Sequence, residues 1–62
     1  MQQQITAMEL QNLRESIAAH TLSAKKLQEY STQANDQQIK QMLKQSAQSA
    51  ENTKQRLMQF LQ

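Results

Sequence analysis

His20 is the only histidine in the chain, and it falls on an apolar helical stripe rather than on a polar face. An imidazole can ligate a metal, carry a proton, or change charge between pH 5 and 8. The acids available to join it are Glu9, Glu15, Glu29, Asp36 and Glu51. A carboxylate-bridged metal site in a helical bundle takes Glu from facing helices together with a Glu-x-x-His unit. No Glu-x-x-His occurs. Glu9 precedes His20 by eleven residues, about 16 Å along a helix axis. Glu51 lies at the edge of its own stripe. Two His20 and two Glu51, brought together by a dimer, therefore make only a weak metal candidate. The preferred reading of His20 is structural: a half-buried ring bonded to Ser46, Ser49 or a backbone carbonyl. No cofactor is expected.

Other chemistry has less to stand on. Ser46 opposite His20 would be a dyad on paper, but a simple hairpin offers no concave pocket for a substrate, so the chain is read as no enzyme. Lys25, Lys26, Lys40 and Lys44 gather in the same part of the chain. Glu29 and Asp36 lie among them, no aromatic platform accompanies them, and no recognition helix is evident. The formal charge of +2 is too small to imply nucleic acid by itself. Polar faces rich in Gln, with no Trp, do not suit a lipid surface. There is no Cys, which excludes disulfides and thiolate metal sites. No apolar run nears the roughly 20 residues that cross a bilayer, and no signal-peptide pattern opens the chain. The expected location is intracellular.

These side chains must be carried by helices. Of the 62 residues, none is Gly or Pro, and 37% are hydrophobic. Gln and Ala are good helix formers. The strongest stripe runs from Ile39 to Leu61: Ile39, Met42, Leu43, Ser46, Ala50, Thr53, Leu57, Phe60 and Leu61 recur at helical spacing. A second stripe holds Leu10, Leu13, Ile17, His20, Ala24 and Leu27, with Thr21 at its margin and Ser31 at its end. Met8, Leu22 and Tyr30 lie off it and mark a possible second contact face. Thr6 and Glu9 form a capping box, with Ile5 and Leu10 as its staple. Met1–Gln4 are polar and expected to fray. Ser31, Thr32, Asn35 and Asp36 favour local side-chain bonding over a helix interior. The spacing thus predicts one domain over 1–62: a helix over about 7–32, a turn at about 33–35, and a helix over about 36–61. Asn35 or Asp36 would cap the second helix.

So short a connection makes the helices antiparallel neighbours. Facing residue numbers are expected to sum to about 66. That sets Leu27 against Ile39, Ala24 against Met42 and Leu43, His20 against Ser46, Ile17 against Ser49 and Ala50, Leu13 against Thr53, and Leu10 against Leu57. The expected fold is all-α, an antiparallel two-helix hairpin. Both stripes together, from Leu10 to Leu61, form the expected packing and dimer core. They are broader than one pairing can cover, so two hairpins are expected to pair as a homodimeric four-helix bundle.

One stretch also looks familiar. Ala7-Met8-Glu9-Leu10-Gln11-Asn12-Leu13-Arg14, then Ile17, His20, Lys25-Lys26-Leu27 and Tyr30, are followed by Ile39-Lys40-Gln41-Met42, Ser46-Ala47 and Lys54-Gln55 through Leu61. The pattern resembles small proteins grouped with the CotF-like spore coat proteins of endospore-forming bacteria. The resemblance implies a ferritin-like helical arrangement, a structural role in or near the spore coat, and a coat or other protein as partner. Larger relatives carry two such hairpins, whereas this chain has one. Metal-active ferritin-like proteins use the Glu-x-x-His that is missing here.

Overall fold

The structure is a computed structural model, and it describes residues 5–61. The fraying expected at Met1–Gln4 lies outside the described residues. The fold is an all-α antiparallel two-helix hairpin. Helix α1 spans Ala7–Gln33, helix α2 spans Gln37–Met58, and a 3-10 turn over Gln59–Leu61 closes the chain.

Each boundary has a local cause. Thr6 has extended backbone and caps α1. Its Oγ1 accepts the Glu9 N–H at 3.1 Å, while Glu9 Oε1 accepts the Thr6 N–H at 2.9 Å. The capping box is therefore complete. At the other end, α1 closes at Gln33, one residue past the expected 32, with Ser31 and Thr32 inside it. Their hydroxyls donate to the carbonyls of Gln28 and Glu29, both at 2.7 Å. Bonded back onto the preceding turn, they do not compete for the backbone. That bond also lets Ser31 be fully buried at 0% exposure. The helix stops at Ala34, whose backbone is extended and whose N–H still reaches Tyr30 O.

Asp36 caps α2, its Oδ1 accepting the Ile39 N–H at 2.9 Å. Of the two expected caps, the chain uses the one whose charge suits a helix start. The three-residue connection needs no left-handed backbone, and none occurs among the described residues. At its far end α2 was expected to continue as one helix to Leu61. It tightens instead after Met58. The Gln59 N–H is shared between the carbonyls of Arg56 and Leu57, the way a helix end without a Gly cap satisfies its last carbonyls.

With α1 ending at Gln33, the connection centres on Asn35. Facing numbers therefore sum to about 70 rather than the expected 66, a slide of about one helical turn. Ala24 shares a groove with Ala47 and Gln48, not with Met42 and Leu43. Ala47, left off the expected stripe, is 2% exposed, and Ala24 opposite is 8% exposed. Helices meeting at two alanines approach closely. The Cα trace measures 46 × 19 × 12 Å, with a radius of gyration of 14.4 Å. A compact chain of this length has a radius near 10.6 Å. The molecule is thus a single layer of two helices. Among the described residues, no helix is long and apolar enough to cross a membrane.

Candidate functional site

His20 sits near the middle of α1, half-buried. Its Nδ1 lies 2.8 Å from the Ser16 carbonyl oxygen and 3.4 Å from Ser16 Oγ. A carbonyl only accepts, so Nδ1 carries the proton and donates. Of the three partners expected for a half-buried ring, the structure shows the backbone carbonyl, supplied within α1 by Ser16, while Ser46 and Ser49 are exposed on α2. Glu51 is engaged along α2: its Oε1 accepts from Gln55 Nε2 at 3.3 Å and pairs with Lys54 Nζ at 3.4 Å. Among the described residues, no three His, Cys, Asp or Glu side chains gather where they could hold a metal ion. That weakens the reading of His20 and Glu51 as a metal centre.

The two sides of the hairpin differ. One carries an open polar groove of about 310 Å³ lined by Thr21, Lys25 and Gln28 of α1 and by Gln48 and Glu51 of α2. The other carries a groove of about 220 Å³ at the open end, lined by Ile5, Glu9, Leu13, Leu57 and Phe60. These grooves fix which flank of each helix faces which side. At about 100° per residue, Arg14 and Lys44 belong with the polar side. The opposite side takes Asn12, Ser16, Ala19, Ser23 and Tyr30 from α1. From α2 it takes Ile39, Met42, Ser46, Ser49 and Thr53, continuing to Phe60. Between Glu9 at the open end and the turn, this second face holds no charged residue. Lys26 and Glu15 stand on its outer rim.

The residues of the two expected stripes separate accordingly. Ala24 is buried. Leu10, Leu13, Ile17, His20 and Leu27 are half-buried on α1, as are Leu43, Ala50, Thr53 and Leu57 on α2. Ile39 (52% exposed), Met42 (61%) and Phe60 (49%) stand largely free, and Ser46 and Leu61 are exposed as well. Tyr30, set apart in the sequence as off-stripe, joins them at 51%. The contact line of α2 is instead Lys40, Leu43, Ala47, Ala50 or Glu51, Lys54 and Leu57. Its 3-4-3-4-3 spacing, counted through Ala50, was legible only if the stems of Lys40 and Lys54 are counted as apolar cover.

The apolar stripe of α2 thus serves two neighbours. One edge, with Leu43, Ala50 and Leu57, packs toward α1. The other edge, with Ile39, Met42, Ser46 and Phe60, faces out. Its middle is small and its ends are large. Such a surface can hold a protein partner. Glu9 has a carboxyl held below its usual value of 4.5, first by the backbone N–H of Thr6 and then by its side chain. This serves the cap rather than any reaction. Comparison with known protein families, curated proteins and solved structures finds no match to this chain.

Proposed function

We propose that this hairpin is a non-catalytic structural module that works by binding protein, and that its first partner is a second copy of itself. The pair would form a four-helix bundle. The observation that carries this reading is the exposed, uncharged face with Ile39, Met42, Tyr30 and Phe60 on it. The only fully buried side chain is that of Ser31, and the other buried residues are two alanines, all among the described residues. A single layer of helices cannot enclose a core, because a stable domain needs a second layer over the first. The surface area supports the same conclusion. The chain exposes 5187 Å², whereas a compact monomer of 7.2 kDa exposes about 4,100 Å². The excess of roughly 1,000 Å² is of the size that one partner contributes to a standard interface, about 800 Å².

Light scattering across a dilution series tests this. A mass of twice 7.2 kDa that falls only at low concentration is the expected result. A folded species of 7.2 kDa at every concentration would remove the self-pairing reading. The resemblance to CotF-like proteins supports the further proposal that the assembled module belongs to a spore coat. A fluorescent fusion followed through sporulation checks it, with diffuse signal throughout counting against it.

A further inference from the structure

We infer that the second copy docks head to tail, α2 against α2, so that the two turns lie at opposite ends of the bundle. The inference rests on the self-pairing reading above and specifies its geometry. Two symmetric ways of closing the uncharged face exist. In one, both turns lie at the same end and α2 of each copy covers α1 of the other. In the other, the turns are opposite, and each helix covers its own counterpart in antiparallel fashion.

The flank of α2 on the uncharged face is a palindrome, with Thr53 and Leu57 half-buried along it. Counted outward from the midpoint between Ser49 and Ala50, Ser46 mirrors Thr53, Met42 mirrors Leu57, and Ile39 mirrors Phe60. Both the spacing and the size are mirrored, with small residues at the centre and large apolar ones at the ends. An antiparallel copy of the same helix therefore meets this edge with apolar on apolar and small on small throughout. Phe60 keeps to this edge although it lies in the 3-10 turn, since it lines the open-end groove with Leu57.

Charge points the same way. In a hairpin that turns about Asn35, the level between Ser49 and Ala50 corresponds on α1 to the level between His20 and Thr21. Glu15 and Lys26 are equidistant from that level, and both lie on the outer rim of the face. Head-to-tail docking sets each Lys26 beside the second copy's Glu15, two opposite-charge pairs related by the twofold axis. Exposed pairs add little affinity, but they select orientation. With the turns together, Lys26 and Glu15 of one copy would lie beside α2 of the other, which carries no charge on this face, and Phe60 would cover the second copy's Glu9. These unmatched groups disfavour that arrangement.

The chain has no cysteine, so introduced thiols report orientation directly. A disulfide forms only where Cα atoms come within about 7 Å. Under mild oxidation, Ser49→Cys should link to itself as the majority species, and a mixture of Ser46→Cys with Thr53→Cys chains should give the mixed dimer. All three changes are small, at two exposed serines and one half-buried threonine, and a thermal melt verifies folding. Linkage of Ser46→Cys to Ser23→Cys, with Ser49→Cys left unlinked, would overturn the head-to-tail orientation while leaving self-pairing intact. No linkage at any position, together with a 7.2 kDa mass, would overturn both.

Discussion

Substituting Ala47→Leu tests the register of the hairpin at the point where it departs from the sequence expectation. Ala47 is 2% exposed and shares its groove with buried Ala24. Two helices that meet through alanines sit at the short end of the usual interaxial range, roughly 8 Å rather than 10 Å. A leucine adds three carbons at a position only 2% exposed, so the helices must part or the side chain must leave its rotamer and turn out toward the adjoining groove. Overpacking of this kind costs about 1–3 kcal/mol. In a chain of this length 1 kcal/mol lowers the melting temperature by about 4–8 °C, so a cost of about 2 kcal/mol lowers it by about 8–16 °C. Intrinsic helix preference cannot produce such a change, because Leu and Ala differ by only a few tenths of a kcal/mol. Ala18→Leu on the exposed face of α1 provides the control and should melt with the parent. Circular dichroism melts at one fixed chain concentration read the difference, since the proposed pairing would make the midpoint concentration-dependent. If Ala47→Leu melted within about 2 °C of the parent, on the conversion used above, Ala47 would not be the closest approach, and the register argued here would be wrong.

Two local predictions follow from the helix starts. Asp36→Ala removes the acceptor of the Ile39 N–H and should lower stability by about 1 kcal/mol. Amide exchange at Gln37 to Ile39 should speed up, whereas protection unchanged at those amides would mean that Asn35 can take over the cap. Glu9 supplies a pH dependence. Its folded pKa is depressed from 4.5 by the Thr6 backbone N–H and then by the Thr6 side chain. The unfolded chain therefore binds its proton first as pH falls. The stabilisation from the capping box is present above pH 4.5 and is lost as pH drops from there through the lowered folded value. Proton titration by NMR should show the Thr6 amide resonance moving with the Glu9 carboxyl in that window, and Thr6→Ala should raise the Glu9 midpoint. A Glu9 midpoint that does not move on removing the Thr6 side chain would assign the whole effect to the backbone bond.

What the sequence made legible was local. The capping box reads directly from Thr6 and Glu9, because both of its bonds span three residues. The existence and antiparallel order of the helices follow from two 3.6-residue stripes and a short polar connection. Ser31 and Thr32 fall inside α1, as the expected helix over about 7–32 had them, with their hydroxyls bonded to carbonyls three residues earlier. What failed was the register: the connection centres on Asn35, so facing numbers sum to about 70 rather than the expected 66, and every facing pair moves. Ala47 was then invisible, since an alanine beside Ser46 carries no hydrophobic signal of its own. The half-buried His20 on a backbone carbonyl was among the expected outcomes; that the carbonyl is Ser16's, four residues back in its own helix, was not specified.

The distribution of side-chain size decides how this molecule is held together. A self-sufficient hairpin would put its largest apolar residues between its helices and leave small polar ones outside. This chain does the reverse at its centre: Ala24, Ala47 and Ser31 occupy the buried positions, while Met42, Ile39, Tyr30 and Phe60 stand out on one flank. The small residues let the two helices lie close enough to form one flat surface, and the large ones line that surface. Fully burying a side chain of this size is worth about 1.5–3 kcal/mol, so what the hairpin leaves exposed is comparable to the total stability of a small domain, about 5–15 kcal/mol. Folding and pairing are therefore expected to be one transition. The flatness that makes the isolated hairpin poor at enclosing a core is what makes its uncharged face able to receive another.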